Sequence, residues 1–298
     1  MTEKLRRPEW LRRKIPGRGS TSLVRDALDG GNLHTVCEEA GCPNCAECFG
    51  KGTATFLILG GTCTRNCRFC SVTKGTPALP DKAETDAVVS AIRSLGIRFA
   101  VITSVTRDDL PDGGASVFVE LIAKIRAELP KVKVEVLVPD FAGNIPAIDS
   151  VISSLPDVFN HNIETVERVF QEIRPMGNFN RSLELLARAA GNEKGMPVKS
   201  GFMVGLGESC EEVEKLLRQL KESGVSIVTI GQYLKPAAQC AEVVEYISPT
   251  IFENYKRFAE SLGFAAVFSG PLVRSSYMAH EVFDRSHSAA ELFQEDLS

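Results

Sequence analysis

The chain has 298 residues, of which 44% are hydrophobic and 24% charged, with a formal net charge of -4 at neutral pH. That length suits one large domain or two small ones. The charge gives no support for a nucleic-acid partner, and no run of about 18 apolar residues is present that would cross a membrane. Nine cysteines, an odd number with seven crowded between Cys37 and Cys70, argue against a disulfide scaffold and for metal binding in a reducing compartment.

Residues 1–20 carry Lys4, Arg6, Arg7, Arg12, Arg13, Lys14 and Arg18 around Trp10 and Leu11. This reads either as a solvated arm or as a docking patch for an acidic partner. Glu3 and Glu9 interrupt the basic run and no apolar segment follows, so no signal or transit peptide is expected and a cytoplasmic location is. Residues 22–50 hold a short helix and a second cysteine group, Cys37, Cys42 and Cys48 in C-x4-C-x5-C, with Cys45 inside it. Spacing alone leaves an iron–sulfur cluster and a four-thiolate zinc site both open there.

After residue 54 apolar runs alternate with segments of helical period. Thr55–Leu59 precedes a helix over 83–95, Phe99–Val105 one over 116–129, and Val132–Asp140 one over 145–153. Val158–Glu164 precedes two helices within 165–190, Val198–Gly207 one over 211–222, and Ile227–Leu234 one over 250–262. Continuous apolar strands separated by helices form a parallel sheet covered by helices. Asp81 with Glu84 and Ser209 with Glu212 read as capping boxes, Ser248-Pro249 as a cap with a first-turn proline, and Gly96, Gly224 and Gly263 as helix ends. Six such units without a dinucleotide-binding glycine fingerprint predict an α/β fold, a partial (β/α)6 TIM-like barrel with N-terminal and C-terminal extensions covering its open side. The expected segments are 1–53, 54–264 and 265–298. In such barrels chemistry sits at the carboxyl ends of strands. The polar residues are found there: Cys63 to Cys70, Ser104 to Asp109, Asn160 to Glu164, Gly205 to Glu208, and Gln232 with Tyr233.

Cys63, Cys67 and Cys70 follow the first strand in C-x3-C-x2-C. Three thiolates are one short of the four that normally hold a 4Fe-4S cube, so this triplet leaves one iron open to a substrate. Structural zinc requires four protein ligands, and no second pair stands at suitable spacing. Gly60 and Gly61, lacking Cβ, let backbone approach a bulky cofactor.

This triplet after the first strand of a partial barrel resembles the radical S-adenosylmethionine (radical SAM) enzymes. The upstream C-x4-C-x5-C with the C-terminal RSSY (Arg274 to Tyr277) is similar to the lipoyl synthase family, as are CEEAGCPN, TSVTRDDLPDGG, FNHNIETV, SGFMVGLGE, GQYLKP and SGPLVRSSY. The resemblance implies insertion of two sulfurs at C6 and C8 of an octanoyl chain amide-linked to a carrier lysine. Those C–H bonds lack useful acidity, so a radical rather than a base must remove the hydrogens. It implies two 4Fe-4S clusters and S-adenosylmethionine as cofactors. The cluster on Cys63, Cys67 and Cys70 would donate the electron that cleaves S-adenosylmethionine to methionine and a 5′-deoxyadenosyl radical. The second, on Cys37, Cys42, Cys48 and Ser276 (Ser275 being the other candidate), would give up the sulfurs. From their place at the end of the fourth strand, Asn162 and Glu164 are candidates to hold the cosubstrate's polar groups; Arg174 reads either as a bidentate partner for a carboxylate or as a helix-surface salt bridge, and Phe69, between two ligands, either as flanking the adenine or as core.

His161 reads as a satisfied core imidazole, His34 as a loop residue, Lys199 as structural, and Cys210 and Cys240 as spare thiols. Two positions depart from the family pattern: Cys45 where an aliphatic residue is common, and Phe49 where Trp is. Implied partners are octanoylated lipoyl carrier domains (a 2-oxoacid dehydrogenase E2 or a glycine cleavage H protein), an electron donor such as ferredoxin or flavodoxin, and an iron–sulfur carrier, with no nucleic acid and no membrane. Another radical SAM sulfur-inserting enzyme, or a non-catalytic zinc-binding module, are the competing readings.

Overall fold

The apolar runs pair in the order in which the chain makes them. The computed structural model describes residues 6–12, 33–35, 44 and 55–276. Within these, β1 (His34–Thr35), β2 (Thr55–Ile58), β3 (Thr62–Cys63), β4 (Thr73–Lys74), β5 (Phe99–Ser104), β6 (Lys133–Leu137), β7 (Val158–Asn160), β8 (Val198–Val204), β9 (Ile227–Gln232) and β10 (Ala266–Gly270) are the strands. One sheet runs β1-β2-β5-β6-β7-β8-β9-β10; β1 is antiparallel to β2 and every other neighbouring pair is parallel. The short β3 and β4 form a separate parallel pair. All four residues of β2 and all six of β9 are buried, as expected of strands covered on both faces.

The helices are α1 (Glu84–Ser94), α2 (Ala115–Glu128), α3 (Ile145–Ser153), α4 (Glu167–Ile173), α5 (Phe179–Ala190), α6 (Cys210–Glu222) and α7 (Pro249–Ser261). Each lays an apolar stripe on the sheet. In α6 the stripe is Val213, Leu216, Leu217 and Leu220, the i, i+3, i+4, i+7 pattern of one helical face. The protein is thus an α/β fold with a mostly parallel central sheet. Among the described residues no helix is long and apolar enough to cross a membrane.

Several local expectations are met and others corrected. The Ser209–Glu212 capping box forms, and Gly96, Gly224 and Gly263 follow α1, α6 and α7 with positive φ. Ser248 caps α7 by position only, without a side-chain bond. The Asp81–Glu84 box does not form. Asp81 accepts from the Ala83 amide, whereas the Glu84 carboxylate accepts from the Leu59 and Gly60 amides at 2.7 and 3.1 Å. Both of those residues have positive φ, so Glu84 holds the turn leading from β2 into the cysteine loop. His34 lies in a strand, paired with Leu57, rather than in a loop. A seventh parallel strand, β10, lies inside the stretch read as a C-terminal extension. Its sequence, AVFSG, is short and ends in small residues, which hid it.

One polar group lies deep in the sheet. Lys199 on β8 and Glu135 on β6 are 0% and 1% exposed at their side chains, and Nζ lies 3.0 Å from both carboxylate oxygens. Asn160 on β7, between them, donates to the same carboxylate at 2.8 Å. Lys199 is structural, as its position suggested, and acts through a buried ion pair bridging three strands.

Candidate active site

The cysteine loop is held on several sides. The Thr64 amide and hydroxyl both donate to the Thr106 carbonyl at 3.0 Å, and the Asp108 amide donates to the Thr64 hydroxyl at 3.1 Å. The Arg68 amide donates to the Ile173 carbonyl, and the Arg68 carbonyl accepts from the Ala241 amide. Cys63 Sγ accepts from the amides of Arg65 and Thr106 at 3.4 and 3.3 Å. Such N–H···S contacts tune the potential of any cluster bound through that sulfur. Cys240, expected to be a spare thiol, is buried, and its S–H donates to the Cys70 carbonyl at 3.6 Å. Cys210 opens α6 and accepts from the Tyr255 hydroxyl.

Cys63, Cys67 and Cys70 line one cavity of about 530 Å³ at the carboxyl ends of the parallel strands. Among the described residues, no three His, Cys, Asp or Glu side chains converge on a point where one metal ion would sit. Thiolates that each hold a different iron of one cube do not need to. Burial pushes the Cys67 thiol up, against the pull of the Arg174 cation, and pushes the Cys70 thiol up to about 12, against a backbone hydrogen bond at Val72. Both are therefore protonated near neutrality, and binding metal would release their protons.

The same cavity gathers most of the remaining predicted residues: Phe69, Asn162, Glu164, Arg174, Ser275 and Ser276. Phe69 is half-buried, packed against the core and lining the cavity. Arg174 is buried rather than part of a surface salt bridge; its Nη1 donates to the Asn162 carbonyl, and its guanidinium lies 5.2 Å from the centre of the Phe170 ring. Glu164 sits at φ +73° and is half-buried, and burial pushes its carboxyl up despite Arg174 nearby. His161 is a satisfied core imidazole, its two nitrogens bonded to the Val138 carbonyl and the Ser182 hydroxyl. Cys37, Cys42, Cys45, Cys48, Phe49 and Tyr277 lie outside the described residues.

Asn44, which in sequence lies within the second cysteine group, donates through Nδ2 to the Leu272 carbonyl at 2.8 Å, two residues before the RSSY segment. Asn162 Nδ2 donates to Ser275 Oγ at 3.2 Å, tying the segment to the end of β7. Sequence reading missed Asn44, Gly201, Gly231 and the Arg65–Asp108–Asp140 cluster. The only signals were the position of Arg65 between two site cysteines and of both aspartates at strand ends.

The donor set fits the groups that three thiols imply. The cavity volume is within the range that binds drug-sized ligands, ~300–1,000 Å³. Bordering it, Asn162 Oδ1, Ser104 Oγ and Arg65 Nη1 are buried and have no hydrogen-bond partner among the described residues. Such groups cost about 1–3 kcal/mol each when left unsatisfied, so the cavity suits a ligand with both acceptors and donors.

Comparison with known proteins agrees. Residues 57–220 match the radical SAM superfamily, and residues 1–42 match the N-terminal domain of lipoyl synthase of that superfamily. Solved structures share the fold at low identity. SuiB of Streptococcus suis bound to S-adenosylmethionine superposes with a TM-score of 0.56 at 12% identity, over 76% of this chain and 53% of that one. Methylornithine synthase does so with 0.50 at 13%, over 85% and 79%. Fold and cysteine loop together define a radical SAM enzyme.

The lipoyl synthase of Caldicellulosiruptor bescii is 50% identical over 280 residues, covering 94% of this chain and 96% of its own. That of Rubrobacter xylanophilus is 51% identical over 275 residues, covering 92% and 86%. The chain belongs to the lipoyl synthase family, a family of sulfur-inserting transferases that use S-adenosylmethionine and 4Fe-4S clusters. The zinc-module reading falls with that membership.

Proposed function

We propose that this chain inserts two sulfurs at C6 and C8 of an octanoyl-lysine carried on a lipoyl carrier domain, of a 2-oxoacid dehydrogenase E2 or a glycine cleavage H protein. The observation that carries this reading is the shared cavity: three thiols of the C-x3-C-x2-C loop face it together with the RSSY serines, whose segment Asn44 of the other cysteine group holds. Cys63, Cys67 and Cys70 would hold one 4Fe-4S cluster, which supplies the electron for reductive cleavage of S-adenosylmethionine. Cys37, Cys42, Cys48 and Ser276 would hold the second, the source of sulfur. Ser276 is preferred because Asn162 engages the Ser275 hydroxyl. An alkoxide is a harder ligand than a thiolate and suits a cluster that must be dismantled.

The remaining residues position and exclude. Arg174, buried beside Asn162 and Glu164, supplies a fixed cation for a carboxylate of the cosubstrate. Asn162 Oδ1 and Ser104 Oγ offer acceptors to its ammonium or ribose, and Phe69 offers an apolar face to its adenine. The seven parallel strands form a partial barrel whose core is the six strand–helix units of 54–264. Residues 1–53 carry the second cysteine group, and the segment from 265 brings in the serines. An electron donor such as ferredoxin or flavodoxin and an iron–sulfur carrier complete the cycle, in a cytoplasmic setting.

The test is anaerobic incubation with octanoyl-lysyl peptide, reductant and S-adenosylmethionine, with mass analysis for two added sulfurs. Cys67→Ala abolishes cleavage of S-adenosylmethionine; Cys42→Ala retains cleavage and loses sulfur insertion. Lipoyl product from Cys42→Ala would sink the sulfur-donor assignment.

A further inference from the structure

Arg65 stands between two of the cavity cysteines, yet it is 4% exposed and directed away from solvent. Its Nε and Nη2 donate to the two carboxylate oxygens of Asp108 at 2.7 and 2.8 Å, and Nη2 also meets Asp140 Oδ1 at 2.6 Å. Asp108 belongs to the loop after β5, and Asp140 follows β6. Asp140, fully buried, is approached by Arg181 Nη1 at 3.4 Å as well. A cation this deep is expensive unless paired and hydrogen-bonded, and only a planar fork satisfies two carboxylates from different loops at once. The cysteine loop and the loop after β5 are already joined through Thr64, Thr106 and Asp108.

We propose that Arg65 is a positioning residue for the cysteine loop: through Asp108 and Asp140 it makes the 106–108 loop a second wall of the 4Fe-4S site and sets the electrostatic field there. This rests on the reading of Cys63, Cys67 and Cys70 as the ligands. Two consequences follow from the geometry. The clamp fixes where Cys63 and Cys67 stand relative to Thr106, whose amide reaches Cys63 Sγ. The charges act on electron transfer with opposite signs, since Arg65 favours an electron added beside Cys67 whereas Asp108 opposes it.

The experiment is an anaerobic redox titration of reconstituted protein, following the paramagnetic signal that changes shape when S-adenosylmethionine is added. Iron and sulfide content are measured in parallel. Arg65→Gln shifts the midpoint potential down and Asp108→Asn shifts it up. Arg65→Lys keeps the charge, so its potential stays near wild type while cleavage of S-adenosylmethionine falls at least roughly tenfold, because one ammonium cannot hold both carboxylates in place. If Arg65→Gln takes up no iron, Asp108→Asn decides alone, its side chain being nearly isosteric and a quarter exposed. Potentials that stay put, or that move in the same direction in both variants, would overturn the clamp while leaving the ligand assignment intact. Wild-type protein that binds no iron would overturn the ligand assignment and the clamp with it.

Discussion

Lys199→Met leaves Glu135 as a buried carboxylate with only the Asn160 amide at 2.8 Å for a partner. Removing one member of such a pair strands the other charge at a cost of about 3–5 kcal/mol. With an unfolding entropy of roughly 2.1 cal/mol/K per residue, a chain this long loses about 6 °C of Tm for ~4 kcal/mol. The companion is Glu135→Gln with Lys199→Met, which removes both charges. Gln at 135 still accepts from Asn160 Nδ2 and offers an N–H to Asn160 Oδ1, which has no hydrogen-bond partner among the described residues. The double variant is therefore expected to recover at least half of the lost stability, since neutral replacements of buried pairs are commonly tolerated. Urea unfolding followed by far-UV circular dichroism at matched iron content reads both. A loss below about 1 kcal/mol for Lys199→Met, or a double variant as unstable as the sum of its singles, would refute the claim that the ion pair joins β6 to β8.

Three further outcomes are expected. Burial holds the His161 imidazole down to about 4 from its usual 6.5, the Arg174 cation adding to the effect against the hydrogen bond at Val138. The unfolded chain thus binds the proton first, so this contribution is complete above pH 6.5 and is lost as pH falls from 6.5 through 4, reaching about 3 kcal/mol; His161→Gln should flatten the urea midpoint over that window. Gly201→Ala places a Cβ 2.5 Å from Thr229 Oγ1, 2.9 Å from Asn162 Oδ1 and 3.3 Å from Ser275 Cβ; because it crowds both the serine segment and Asn162, sulfur insertion should fall by more than about tenfold and cleavage of S-adenosylmethionine should fall with it, read by lipoyl product and methionine release. Glu84→Ala strips the acceptor from two amides in a positive-φ turn and should cost about 1–3 kcal/mol in urea, with Glu84→Gln costing less because one acceptor survives; equal losses would assign the effect to charge instead.

Much of the fold and the cavity thiols could be read from the chain because their causes are local. Alternating apolar strands and periodic helices declare themselves, and C-x3-C-x2-C at a strand end states its chemistry through residue type and spacing. What escaped depends on partners distant in sequence. Glu84 looked like half of a capping box because Asp81 stands three residues before it; its true partners, Leu59 and Gly60, are about 25 residues away. Arg65 drew no reading from its sequence position, because its partners Asp108 and Asp140 lie 43 and about 75 residues away. β10 went unseen because AVFSG lacks both length and alternation, and only its register against β9, Ala266 on Ile227 through Gly270 on Gly231, makes it a strand. Cys240, 170 residues from Cys70, joined the site for the same reason.

The glycines of β8 and β9 show why the C-terminal segment reaches this cavity and why no pattern announced it. A Cβ on Gly231 would lie 2.2 Å from the Val273 carbonyl, and one on Gly201 would lie against Thr229, Asn162 and Ser275. A backbone carbonyl cannot step aside as a flexible side chain can, so the chain after β10 is admitted only because these two inward positions are bare. The Asn162 amide then holds Ser275, and Asn44 holds Leu272. A parallel strand with glycine in an otherwise apolar run reads on its own as a weakened strand. Here the missing side chains make the slot through which a segment more than forty residues downstream of Gly231 and more than seventy downstream of Gly201 is brought beside the cysteine loop.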